Sequence, residues 1–171
     1  MDLNFGLEYE NFTKEVQTFC KKYSGVHFTD SSKVPLTGSF KSGQLEMKRS
    51  EWQKILIEKG YFARSIPKEY GGYGGESDII KSRIIATEFS KNKIPPPMGG
   101  QGIDMLVPTL LELGTEEQKK QYIKPTLHGE IIWCQGYSEP NAGSDLASLQ
   151  TKAELIEGNW VINGQKIWTS T

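Results

Sequence analysis

Apolar residues in the first two-thirds of the chain recur at helical spacing. Phe5, Tyr9, Phe12, Val16, Phe19 and Tyr23 step by four, three, four, three and four, one stripe of an amphipathic helix that Ser24-Gly25 ends. Residues 24–43 are rich in Ser, Thr, Gly and Lys, carry Pro35, and read as a surface connection. Leu45, Trp52, Ile55 and Leu56 predict a second helix, stopping at Gly60. A turn-rich loop, Ile66 to Gly75, precedes a third, with Ile80, Ile84 and Thr87 on one side and an end near Asn92. After Pro95-Pro96-Pro97, the run from about Ile103 to Leu113 predicts a helix that Pro108 kinks or properly begins. Thr115-Glu116-Glu117-Gln118 then matches a capping box, opening a short helix that reaches about Lys124 before Pro125.

The period changes near residue 130. Ile131-Ile132-Trp133-Cys134 is a short apolar run of β-formers, and Leu149 to Ile156 partly alternates. Glu157-Gly158-Asn159 is a hairpin-type turn before a returning strand, Trp160-Val161-Ile162. Asn163-Gly164 signals another turn, and Gln165 to Thr169 another strand. The fold class expected is α+β by segments: a helical domain over 1–128, then the first strands of a β-barrel-like domain over 129–171.

Composition narrows the function classes. With 20 Lys+Arg against 21 Asp+Glu the chain lacks the basic excess of an electrostatic nucleic-acid binder. A folded chain of this length buries roughly 70% of its unfolded surface, so its core needs no disulfide or metal. Cys20 and Cys134 form no framework, which fits a reducing compartment. No apolar run approaches membrane-spanning length, and Met1 to Glu10 holds no Lys or Arg, unlike a signal or transit peptide. These features lead us to expect a soluble, cytoplasmic protein. His27 and His128 lack partners at ligand spacing, so no metal site is expected.

Two glycine clusters, Gly71-Gly72-Tyr73-Gly74-Gly75 and Gly99-Gly100-Gln101-Gly102, invite a phosphate-loop reading. Neither matches the dinucleotide fingerprint or sits between strand and helix, so both are expected to be structural loops. The segment Gly136-Tyr137-Ser138-Glu139-Pro140-Asn141-Ala142-Gly143-Ser144-Asp145 differs, being a dense run of small and turn residues directly after an apolar run. It can aim backbone N–H groups at one point with the Ser138 and Ser144 hydroxyls as further donors, or it can be a solvated turn. Gly164 to Ser170 places an indole beside hydroxyls, which an ordinary strand with a core aromatic would also do.

Taken together, Tyr137-Ser138-Glu139-Pro140-Asn141-Ala142-Gly143-Ser144-Asp145-Leu146-Ala147 and Gly164-Gln165-Lys166-Ile167-Trp168-Thr169-Ser170 resemble the flavin-binding signature of the acyl-CoA dehydrogenase family. Gly114 to Lys119, Gly129-Glu130, Ile66 to Gly72 and Pro97 to Gly102 stand at that family's usual places, so the likeness covers nearly the whole chain, weakest over 24–43. It implies a helical domain, a β domain begun but not finished, and a C-terminal four-helix domain outside these residues.

The resemblance further implies FAD as cofactor, held by Gln135, Gly136, Tyr137, Ser138, Gly143, Ser144, Trp168, Thr169 and Ser170. In that alignment Gln135 and Tyr137 run along the flavin edge and Ser138 donates toward its pyrimidine end. Ser144 lies near the pyrophosphate and the CoA portion of the substrate, Trp168 packs on the isoalloxazine, and Ser170 brings a hydroxyl near the hydride-accepting nitrogen. Many relatives have Thr at the positions of Ser138 and Ser170, which keeps the hydroxyl, and an aromatic at that of Gln135. The implied reaction is α,β-dehydrogenation of an acyl-CoA thioester, with electrons leaving to an electron-transfer flavoprotein. The family's base is a Glu of the C-terminal domain, so no catalytic residue is assigned here, and Glu139 belongs to the binding turn. This chain alone is expected to bind FAD weakly and not turn over. A partner subunit of a heteromeric complex, homo- or hetero-oligomeric assembly in general, and an oxygen-using acyl-CoA oxidase are the rival or accompanying expectations.

Overall fold

The structure, a computed structural model, describes residues 6–29 and 45–169. Phe5, Ser170 and most of the 24–43 connection lie outside the described residues.

Helix α1 (Leu7–Lys22) sets Val16 and Phe19 of the predicted stripe inward, together with Cys20. Acidic Glu8 and Glu10 at its start and Lys21 and Lys22 at its end suit the helix dipole. A short parallel pairing of β1 (His27–Phe28) with β2 (Glu46–Met47) follows. Leu45 was expected in the second helix. It stays extended, its carbonyl accepting from His27 N–H at 3.0 Å, and α2 spans Arg49–Glu58. Helix α3 (Ile79–Lys91) is capped by Asp78, whose carboxylate accepts from the N–H groups of Ile80 and Lys81 at 2.9 Å. Its inward face is Ile85, Glu88 and Phe89; Thr87, expected to share the inner side, is exposed.

These three helices share one core. Phe19 stacks on Phe89 with ring centroids 5.8 Å apart and meets Tyr61 edge-on, beside Trp52, Leu56, Ile85 and Ile94. Burying residues of this size contributes roughly 1.5–3 kcal/mol each. The Trp52 indole N–H reaches Pro95 O at 3.1 Å, fixing the triple-proline bend against α2.

A π-helical turn, Gly102–Leu106, runs into α4 (Val107–Leu113). Pro108 brings no N–H for the carbonyl of Asp104, and the wide turn closes instead through Val107 N–H to Gly102 O. Pro108 therefore marks the first turn of the regular helix. The Thr115 capping box forms as predicted, and α5 (Glu116–Leu127) runs through Pro125 rather than stopping before it. Burial of Thr126 and Leu127 beyond the proline offsets the missing bond. Ile123 and Leu127 join Ile57, Tyr70 and Val107 in a second cluster. The 66–75 loop spends its N–H groups on itself, Gly74 to Ile66 O and Gly75 to Arg64 O at 2.8 Å, and so is structural.

Beyond α5 the secondary structure thins. Residues 131–134, an expected strand, pair with nothing among the described residues. The hairpin of β3 (Lys152–Ile156) and β4 (Asn159–Asn163) forms in the predicted place. Its turn residues Glu157 and Gly158 have φ of 49° and 82°, the left-handed pair a two-residue hairpin requires. The stretch from Gln165 to Thr169, a further expected strand, is irregular.

Candidate functional site

The two motif segments meet through Glu139. Residues Glu139-Pro140-Asn141-Ala142 make a tight turn, with Glu139 N–H to Ala142 O at 2.8 Å and Ala142 N–H to Glu139 O at 3.1 Å. The turn sends the Glu139 side chain inward, where it is 6% exposed. One carboxylate oxygen accepts from Gln150 N–H at 2.7 Å; the other accepts from Thr151 N–H at 3.0 Å and the Lys166 ammonium at 2.9 Å. Lys166 also donates to Tyr137 O at 3.1 Å, and Ile167 N–H donates to Ser138 O at 2.9 Å. One carboxylate thus fastens the Tyr137–Ala142 turn to the start of β3 and to the segment after β4.

Hydrogen bonds from Thr151, from the Gln150 N–H and from the Lys166 ammonium stabilise the charged form and hold the Glu139 carboxyl at about 2. A general base works best with a pKa near the operating pH, so this carboxylate is a structural anion. That agrees with placing Glu139 in the binding turn rather than in the chemistry. The sequence offered the turn but not Lys166, whose role shows only once the hairpin has folded back.

Around this staple the expected site residues stay open. Tyr137 is 66% exposed, Trp168 is 84% exposed, and Gly136, Gly143, Ser144 and Thr169 are exposed, with Gln135 and Ser138 half-buried. The N–H groups of Tyr137 and Ser138 donate to no group among the described residues, while their carbonyls are spent on Lys166 and Ile167. Trp168 holds φ of 51°, a left-handed backbone rare for a bulky residue and a feature that collects at binding sites. The structure brings Tyr137, Ser138 and the 165–169 segment together. Ser144 lies in the stretch running on to the 3-10 turn Leu146–Ser148, and Ser170 is outside the described residues.

A groove of about 320 Å³ adjoins this loop, walled on one side by Gln101, Met105, Leu106 and Thr109 and on the other by Trp133 to Tyr137. Met105 and Thr109 were missed at the sequence level. Their signal was available in the helical spacing after Gly102, but nothing in it said that a π-turn would face them toward Tyr137. The open set suits a flat ring rich in nitrogen and oxygen: the Tyr137 and Ser138 N–H groups donate to nothing among the described residues, and the Trp168 indole is exposed. Among the described residues no group of His, Cys, Asp and Glu is placed to hold a metal, and no helix is long and apolar enough to cross a membrane.

Comparison with known proteins covers both parts of the chain. The profile of the acyl-CoA dehydrogenase N-terminal domain fits residues 8–130, and that of the acyl-CoA dehydrogenase middle domain fits residues 134–171. Acyl-CoA dehydrogenase IpdE1 of Mycolicibacterium smegmatis is 41% identical over 132 residues, covering 71% of this chain and 33% of the relative. The short-chain specific acyl-CoA dehydrogenase of Clostridium acetobutylicum is 33% identical over 177 residues, covering 98% of this chain and 41% of the relative. Among solved structures, the ChsE4-ChsE5 complex from Mycobacterium tuberculosis superposes with a TM-score of 0.59 at 28% identity, over 98% of this chain and 40% of that one. The chain therefore spans a third to two-fifths of the length of these relatives. Matched through both its helical part and its stapled loop, the chain belongs to the acyl-CoA dehydrogenase family.

Proposed function

We propose that the protein of which these residues are part is an FAD-dependent acyl-CoA dehydrogenase, with residues 1–128 a helical domain and 129–171 the opening of its flavin-binding β domain. The observation that carries this reading is the Glu139–Lys166 staple, which joins the two signature segments and leaves the Tyr137 and Ser138 N–H groups and the Trp168 indole without a partner among the described residues. FAD, when bound, supplies the acceptor for the β-hydride of the thioester. The chain's own part is to hold and orient. The Tyr137 and Ser138 N–H groups and the Ser138 hydroxyl donate to the electron-rich edge of the ring, where such preset donors need no reorganisation during reaction. Trp168 covers the ring and excludes water, and Gln135, Gly136 and Gly143 allow close backbone approach. Thr169 and Ser170 add hydroxyls, and Ser144 serves the pyrophosphate and the CoA portion. The groove between Met105, Thr109 and Tyr137 receives the acyl chain.

No group among these residues is assigned the α-proton, the base being expected in the C-terminal domain, and Glu139 is already committed to the turn. We extend the reading to an electron-transfer flavoprotein as acceptor, in a cytoplasmic enzyme. A hetero-oligomer is favoured as a second reading by the likeness to the ChsE4-ChsE5 complex. The test is the visible flavin spectrum of the full-length protein. Copurified FAD that bleaches anaerobically with a saturated acyl-CoA supports the proposal; a protein that neither carries nor takes up FAD overturns it. Mass measurement of the native assembly separates a single polypeptide from a mixed one.

A further inference from the structure

The groove beside Tyr137 has two unequal walls. Gln101, Met105, Leu106 and Thr109 belong to the π-turn and α4, packed on the helical core. The opposite wall, Trp133 to Tyr137, is extended chain with no strand partner among the described residues. Its backbone is tied at one end by Glu130 and Ile131 N–H to Pro125 O, at 2.8 and 3.3 Å, and at the other by the Lys166 and Ile167 bonds to Tyr137 and Ser138. Between those ties one side chain, among the described residues, hydrogen-bonds it to the helical layer.

That side chain is Trp133. Its Nε1–H donates to Thr126 Oγ1 at 2.9 Å, and Thr126 Oγ1 in turn donates to Tyr122 O at 2.6 Å, so the acceptor hydroxyl is itself fixed. The Tyr122 ring meets the indole edge-on, centroids 5.6 Å apart. The indole presses on Gly102, the first residue of the π-turn. A Cβ there would overlap Trp133 Cδ1 and stand 2.9 Å from Thr126 Cγ2. Gly102 is required as the floor of a notch, and the notch sits on the same turn that carries Met105.

We propose that Trp133 is a positioning residue: seated over Gly102 and bonded to Thr126, it fixes the spacing between the Gln135–Tyr137 wall and the Met105–Thr109 wall. It thereby sets how tightly the groove grips the substrate's acyl portion. This rests on the proposed function for the identity of what fills the groove, but the anchoring itself does not. Loss of the indole frees the wall, so its effect falls on substrate affinity more than on the rate of the chemical step.

The test uses the full-length protein and Trp133→Ala, Trp133→Phe, Thr126→Val and Gly102→Ala variants, with amide hydrogen exchange over 134–138 read beside steady-state kinetics. Trp133→Ala is expected to speed exchange there at least tenfold and to raise KM for acyl-CoA about tenfold, with kcat changed less than threefold. Trp133→Phe keeps the ring and restores most of the protection. Thr126→Val removes the hydroxyl's bonds to both Trp133 and Tyr122, and losing the Trp133 bond speeds exchange over 134–138 about two- to tenfold. Should Gly102→Ala fail to fold, Trp133→Phe and Thr126→Val still decide. Unchanged exchange over 134–138 in Trp133→Ala overturns the anchor, and loosened exchange with unchanged KM overturns its role in the groove. If the wild-type protein oxidises no acyl-CoA, the proposed function and the groove role fail together, while the exchange arm still judges the anchor.

Discussion

Replacing Gln53 by Leu tests how the helical layer holds the groove. Gln53 is fully buried on α2, 0% exposed. Its Nε2 donates to Leu127 O at 3.0 Å, and its Oε1 accepts from Met98 N–H at 2.8 Å. One amide thus joins α2 to the last turn of α5 and to the bend leading into Gly99–Gly102. Leu fills much the same space and offers neither bond. The Leu127 carbonyl is an orphan helix-end acceptor in a buried setting, and leaving it unpaired costs about 1–3 kcal/mol. Met98 is only partly buried, so water can reach its N–H and that end costs roughly 1 kcal/mol or less. The sum is about 1–4 kcal/mol, which for a protein unfolding with about 2–4 °C per kcal/mol is a fall of roughly 2–16 °C in Tm. Urea unfolding followed by far-UV circular dichroism measures it, with Gln53→Met as a second apolar variant expected to behave alike. A Gln53→Leu protein within about 0.5 kcal/mol of wild type refutes the reasoning, since a fully buried amide with two partners would then have been dispensable.

Three further outcomes follow from the same structure. The folded Glu139 carboxyl, at about 2, lies below its ordinary range near 4.5, so its contribution to stability is present above that range. It is lost as pH falls toward 2; an acid titration of stability should lose this slope in Glu139→Gln, and an identical slope would contradict the staple. Trp168→Ala should leave Tm nearly unchanged, because the indole is 84% exposed, yet weaken FAD binding at least tenfold by flavin fluorescence titration of the full-length protein. Thr115→Ala removes the cap on Gln118 N–H at the start of α5 and should cost about 1 kcal/mol in chemical unfolding.

Local signals carried the helical half. The α1 stripe, the Gly114 stop and the Thr115 box each depend on contacts within a few residues, and each stands where the spacing put it. Pro125 misled, because the tertiary burial of Thr126 and Leu127 outweighs a local breaker. Leu45 misled because its partner, His27, is far away in sequence. The 131–134 run has the apolar composition of a strand, but a strand exists only where a neighbour pairs with it, and for 165–169 the one backbone bond from Ile167 N–H to Ser138 O makes no ladder among the described residues. The site residues were legible as a motif, not as geometry. Nothing in the order of residues says that Lys166 bonds both Glu139 and Tyr137, or that Gly102 makes room for Trp133.

Those two contacts, taken together, bear on how the loop would serve the ligand proposed for it. A segment whose N–H groups point outward unpaired would ordinarily fold back and satisfy them locally, as the 66–75 loop does. Residues 134–138 are denied that collapse. Trp133 pins one end to the helical layer, and Lys166 and Ile167 occupy the carbonyls of Tyr137 and Ser138 at the other. With the acceptors engaged and both ends held, the Tyr137 and Ser138 N–H groups, which donate to nothing among the described residues, are the ones proposed to meet a planar acceptor-rich ring. The same logic explains the buried charge: Glu139 faces inward so that Lys166 has a fixed partner, and Lys166 is fixed so that Tyr137 cannot turn its carbonyl toward the site. The carboxylate acts on the loop's shape rather than on a proton.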